Sequence, residues 1–171
     1  MKVKALCIAA TLLAVPAVSF AQSPFSQLGK AVGDAGKGAV EKRINTKLMD
    51  EGRKNQCSFK SGTDVLDAGC DAKLKKLAAA LIDAKKQLDG AGAKSYKFEV
   101  SGHTDSSGDA AKNKKLSEQR AETIVKELVA RGVPRNEIIA VGFGSEKPLV
   151  KPDDTAAKKA KNRRYELQVR L

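Results

Sequence analysis

What most limits the fold of this chain is the way its apolar periodicity switches between two and three-to-four. Tyr96, Phe98 and Val100 alternate with polar residues, as do Tyr165, Leu167, Val169 and Leu171, the spacing of a half-buried strand. Leu74, Leu77, Ala78, Leu81, Ile82 and Leu88 recur at helical spacing, and Ala121, Ile124, Val125, Leu128 and Val129 repeat the pattern over Leu116 to Ala130; each gives a helix one apolar stripe. Asp71 is a plausible N-cap for the first helix, and Gly90-Ala91-Gly92 stops it, as Gly132 and Pro134 stop the second. Glu137 to Phe143 supplies a further strand, Gln56 to Lys60 a short one at the start, and Ala156 to Lys161 a helical turn before the last strand. The order β-α-β-α-β-α-β predicts an α/β (α+β) sandwich, a mixed sheet with helices packed on it. About 115 residues, 56–171, suffice for one compact core.

The residues before it read differently. Met1 to Lys4 is basic, Ala5 to Val15 is apolar, and Ser19-Phe20-Ala21 is a small-x-small site, so residues 1–21 are expected to be a secretory signal peptide. That apolar run of eleven residues is well short of the ~20 that span a bilayer. Residues 22–55 are rich in Gly and Lys. Leu28, Val32, Ala35, Val40, Ile44 and Leu48 form a weak helical stripe, while Gly29, Gly33, Gly36 and Gly38 each cost a helix ~1 kcal/mol against Ala. The expectation is a frayed tether that becomes a modest helix near Ala39 to Met49, or a segment that docks an outer-membrane or envelope protein.

Export bears on the cysteines and the charge. Cys7 falls inside the signal, leaving Cys57 and Cys70 with twelve residues between them. In an oxidising compartment such an isolated pair is expected to form a disulfide, limiting the denatured chain by ~3 kcal/mol at most. The full chain carries 32 basic and 20 acidic side chains, and loss of Lys2 and Lys4 leaves 30 basic. A charge near +10 fits an anionic polymer or lipid surface. Export argues against nucleic acid, and the absence of Trp weakens any stacking model.

The chemistry concentrates between Val100 and Ala121. Asp105 leaves a strand, Asn113 sits in the loop, and Arg120 enters a helix, at the kind of junction where open α/β sheets bind ligands. A carboxylate attracts an ammonium, and a guanidinium takes a carboxylate through two parallel hydrogen bonds. Together they suit the zwitterionic end of an amino acid. Helix N-terminal amides near Leu116 to Glu118 would add to the carboxylate site. Alternatively, Asp105 and Arg120 pair with each other and merely pin the loop. His103 is the sole histidine. It lies two residues from Asp105, too close in the chain to assemble a catalytic triad, and no G-x-S-x-G elbow is present. One histidine without partners makes no metal site. No catalysis, metal or cofactor is expected.

G-H-T-D-x-x-G at Gly102 to Gly108, N-x-x-L-S-x-x-R-A at Asn113 to Ala121 and N-R-R at Asn162 to Arg164 resemble the OmpA-like peptidoglycan-binding domain of OmpA, Pal and MotB. The resemblance covers roughly residues 56–171. It implies a non-catalytic periplasmic module, peripheral to the outer membrane, that grips the diaminopimelate of peptidoglycan stem peptides through Asp105 and Arg120. Thr104, Asn113 and Leu116 match positions lining that pocket. The N-R-R arginines approach it, Arg164 being taken as the one that faces the site. The alternative is a docking module that uses its basic face and residues 22–55.

Overall fold

The computed structural model describes residues 24–171; the expected signal peptide, residues 1–21, lies outside the described residues. The chain forms α1 (Pro24–Lys54), α2 (Asp71–Gly90), β1 (Lys97–His103), α3 (Ala110–Val129), a 3-10 turn (Arg135–Glu137), β2 (Ile138–Gly144), α4 (Ala156–Asn162) and β3 (Arg164–Arg170). The strands make one sheet in the order β2-β1-β3, with β2 parallel and β3 antiparallel to β1. Phe98 and Val100 of β1 and Tyr165, Leu167 and Val169 of β3 share one face with the stripes of α2 and α3, and together they are the core. No described helix is long and apolar enough to cross a membrane.

Of the four expected strands, the first is reduced to a single bridge between Phe59 and Leu66. The cause is local. Lys60 N–H donates to the Val65 carbonyl at 2.8 Å and Asp67 N–H to that of Ser58 at 2.9 Å, so the segment folds back on itself around Ser61 to Asp64. The outer edge of β3 is closed instead by side chains at α1. Asn45 donates to the Val169 carbonyl and accepts its N–H at 3.1 and 2.7 Å. Gln56 does the same for Tyr165 at 2.7 and 3.2 Å. A carboxamide carries one carbonyl and one NH₂, so it can stand in for a paired peptide group on a strand edge.

This docking changes the reading of residues 22–55. A continuous helix runs from Pro24 to Lys54 where a frayed tether was expected. Ile44 and Leu48, which a partner-docking helix would offer outward, are buried in the domain's own core. Tertiary burial of that face overrides the glycine penalties. Once the docked turns exist, each added residue gains a hydrogen bond without a new nucleation cost. The packed unit therefore begins before Gln56.

The expected Cys57–Cys70 disulfide is not formed: both are free, buried thiols. Cys57 Sγ lies 3.9 Å from the Cys70 carbonyl oxygen, a sulfur hydrogen bond rather than a bond between sulfurs. Burial pushes the Cys57 thiol up to about 12, with Cys70 adding to it. Beside it, the buried Tyr165 hydroxyl donates to the Asn55 carbonyl at 2.7 Å and accepts from Cys57 N–H at 3.1 Å, tying the end of α1 to β3.

Candidate functional site

Two glycines set the distance between α3 and the sheet. A Cβ on Gly102 would lie 2.1 Å from the Ser117 carbonyl oxygen, and one on Gly142 would lie 2.6 Å from Glu118 N. With no side chain between them, helix and strands approach backbone to backbone. Ser117 is fully buried and accepts from Gly144 N–H at 2.8 Å while donating to the Lys114 carbonyl at 2.7 Å. Arg120, three residues on, is thereby carried to the end of β1 where Asp105 emerges.

Both line a cleft of about 1020 Å³, together with Phe59, Arg163 and Arg164; Met49 and Arg53 of α1 form part of its wall. They do not pair with each other. Arg163 Nη1 takes Asp105 Oδ2 at 2.6 Å, and Ser107 N–H donates to Asp105 Oδ1 at 3.0 Å. Burial alone would raise the Asp105 carboxyl, but the Arg163 guanidinium and the Ser107 N–H outweigh it and hold it below the usual carboxylate range. Arg120 is half-buried. Its Nε donates to the Thr63 carbonyl at 2.8 Å, and its guanidinium lies 5.1 Å from the centre of the Phe59 ring. Among the described residues its two terminal nitrogens have no carboxylate partner. Burial and the Arg163 charge lower its pKa, opposed by Asp105 and Asp64.

The other expected site residues divide. Arg164 lines the cleft but is anchored, with Nε on Glu166 Oε1 at 2.7 Å and its terminal nitrogens on the Asn162 and Lys147 carbonyls. Arg163, and not Arg164 as taken from the sequence, is the arginine on Asp105. Thr104 is buried outside the cleft lining; its hydroxyl donates to the Asp105 carbonyl at 2.9 Å, and its N–H to Gly144. Asn113 lies in the first turn of α3, not in the loop, and braces the loop by donating to the Ser107 carbonyl at 2.7 Å. Leu116 is half-buried and does not line the cleft.

The expected donor amides at Leu116 to Glu118 are not a helix terminus. The helix begins at Ala110, capped by Asp109, whose side chain accepts from Lys112 N–H at 2.8 Å. Those amides therefore belong to the helix interior. His103 lines the cleft but is buried and stacked on Phe143, ring centroids 5.5 Å apart. Its Nε2 stands 3.4 Å from Ser101 Oγ and its Nδ1 has no partner. Burial, helped by Arg164 and Lys147 against Glu166 and Glu99, lowers it to about 4, so it is neutral at pH 7.

Sequence reasoning missed what holds the loop. Asn162 is fully buried. It accepts from Leu149 and Val150 N–H at 2.8 and 3.0 Å and donates to the Val150 carbonyl and Asp153 Oδ2 at 2.9 and 3.0 Å. Asp153 in turn accepts from Ser106 N–H at 2.9 Å and from the Ser106 hydroxyl. Those two Ser106 contacts, with Asn162, lower the Asp153 carboxyl to about 2. Ser106 is the neighbour of Asp105. The only advance signal was the asparagine of N-R-R.

The model of the OmpA family matches residues 58–163, a span holding Phe59, Asp105, Arg120, Asn162 and Arg163. The chain belongs to the OmpA family. The outer-membrane lipoprotein YfiB of Pseudomonas aeruginosa is 33% identical over 135 residues, covering 77% of this chain and 74% of YfiB. The peptidoglycan-binding protein ArfA of Mycobacterium tuberculosis is 43% identical over 70 residues, 41% of this chain; the match spans only 21% of ArfA. The crystal structure of the peptidoglycan-associated lipoprotein from Burkholderia pseudomallei superposes with a TM-score of 0.52 at 26% identity, covering 66% of this chain and 86% of that one.

Proposed function

We propose that the cleft binds peptidoglycan without catalysis, gripping the zwitterionic tip of diaminopimelate in a stem peptide. Asp105 takes the ammonium and Arg120 the carboxylate. The reading rests above all on Arg120. Thr63 and the Phe59 ring fix its guanidinium on one side, and its terminal nitrogens lack a carboxylate in the cleft that also holds Asp105. That free pair of donors matches a carboxylate in two parallel bonds. The charge-pinned loop, in which Asp105 and Arg120 satisfy only each other, is disfavoured because Asp105 is engaged by Arg163. ArfA, described as peptidoglycan-binding, lends the ligand class. A protein held this way to the wall would link envelope layers.

The test is sedimentation of the mature protein with purified sacculi. Asp105→Ala and Arg120→Ala should each weaken retention, since truncating one partner of a close charge pair costs ~2–5 kcal/mol, ~30-fold or more in Kd. Free diaminopimelate should compete the parent off, and 0.5 M salt should not. Variants that bind as the parent does, with unchanged far-UV spectra, would refute the site. Release by salt alone would point to a diffuse basic surface instead.

A further inference from the structure

Two adjacent arginines border the cleft and differ in how they are held. Arg164 is 10% exposed at its side chain and fixed by Glu166 and two backbone carbonyls. Arg163 is 46% exposed, and its one side-chain contact among the described residues is with Asp105. That contact occupies Oδ2, and Ser107 N–H occupies Oδ1, so both oxygens of the carboxylate are engaged within the protein. We infer that Arg163 is a specificity-determining residue: it holds Asp105 as a resident cation that an incoming ammonium must displace. The inference rests on the zwitterion reading above.

The consequence is a condition on the ligand. Exchanging one cation for another on the same carboxylate gains little, so a plain amine has almost no net drive to enter. A ligand with an α-carboxylate beside its ammonium also gains the two unpaired nitrogens of Arg120. Arg163, released beside Arg120, then leaves a second guanidinium near that carboxylate. Selectivity is a difference of affinities, and a resident competitor lowers the affinity of every amine that lacks the second contact. The exposure of Arg163 matters here, because a side chain already half in water gains hydration as it leaves Asp105 and gives up one contact, whereas Arg164 would have to give up three.

The experiment compares two probes by calorimetry on the mature chain: meso-diaminopimelate, and 1,5-diaminopentane, which keeps both amines and lacks both carboxylates. The parent should bind the first and show no heat with the second. In Arg163→Gln the preference for diaminopimelate should fall at least tenfold, chiefly by a gain for the diamine, while Arg163→Lys keeps the parent's preference. Without any ligand, the Asp105 carboxyl followed by carbon NMR should titrate at higher pH in Arg163→Gln than in the parent. An unchanged preference, or an unchanged Asp105 titration, overturns the inference. So does loss of both probes, which would make Arg163 a direct ligand contact. If the parent itself ignores diaminopimelate, the zwitterion reading has failed first, and the Asp105 titration still shows whether the ion pair exists.

Discussion

Replacing Asn162 by alanine would isolate what keeps Asp105 in place. Its carboxamide is wholly buried and satisfies two N–H groups and one carbonyl of residues 149 and 150, and it holds Asp153. Each neutral group orphaned in a dry interior costs about 1–3 kcal/mol. Here the surrounding turn is exposed at Leu149 and Lys151, so water can reach the freed groups and the low end applies. Three such groups give ~3 kcal/mol, read as a lower urea midpoint at unchanged slope. The effect on binding is indirect. Asp153 loses its fixed position, Ser106 loses its acceptor, and the Asp105 carboxylate is no longer presented at one angle to Arg120; Kd on sacculi should rise about tenfold. Asn162→Asp sharpens the test. It keeps the acceptor for Leu149 and Val150 but sets a carboxylate against Asp153 Oδ2, so at pH 7 it should be at least as damaging and recover in part toward pH 4. A loss under 1 kcal/mol with unchanged binding for Asn162→Ala would mean that the loop is held by something else.

Two further outcomes follow from other parts of the site. His103 has a folded pKa of about 4 against 6.5. The unfolded chain therefore binds the extra proton between those values, and stability present above pH 6.5 is lost as pH falls toward 4. That corresponds to ~3 kcal/mol at full burial and ~2 kcal/mol with the cleft open to water on one side; urea midpoints across pH 4–7 should show the slope, and His103→Asn should flatten it. Gly102→Ala would drive a methyl to 2.1 Å from the Ser117 carbonyl oxygen, and since both partners are backbone the loss should be ~3 kcal/mol or more; a thermal midpoint within 2 °C of the parent would refute the close approach.

How much of this could be read in the chain depends on which contacts are local. The stripes of α2 and α3 and the alternation in β1 and β3 are visible because burial on one face leaves a period. Asp105 and Arg120 were legible because each follows directly from a strand end or a helix position. Arg163 and Arg164 were not separable. β3 starts between them, and neighbours on a strand point to opposite sides, so a shift of one residue in that boundary exchanges their roles. Thr104 and Leu116 belong to the motifs but lie outside the cleft lining; Thr104 acts through the backbone beside Asp105. The early start of α3 escaped notice because Ala110 to Lys115 lacks an apolar stripe, and its cap, Asp109, bonds only to Lys112. Cys57 Sγ does lie against Cys70, at its carbonyl oxygen, but an isolated pair in an exported chain does not by itself determine whether the sulfurs are bonded.

The edge of β3 shows why the first strand was misjudged. Period-two reasoning detects a strand that buries one face, but it says nothing about which groups complete the hydrogen bonding of the last strand. Here Asn45 and Gln56 make that pairing with side-chain amides, and at Gly52, between them, even an added Cβ would meet the Leu167 side chain only in ordinary contact at 3.7 Å. A helix so placed brings Met49 and Arg53 to the cleft. Both precede the span 58–163 matched by the family model, whereas Asp105, Arg120 and Arg163 lie inside it. The charged grip proposed above thus falls in the shared segment, and α1 adds part of the cleft wall from outside it. Anything that loosens α1 from β3 should change the shape of the cleft while leaving the grip intact.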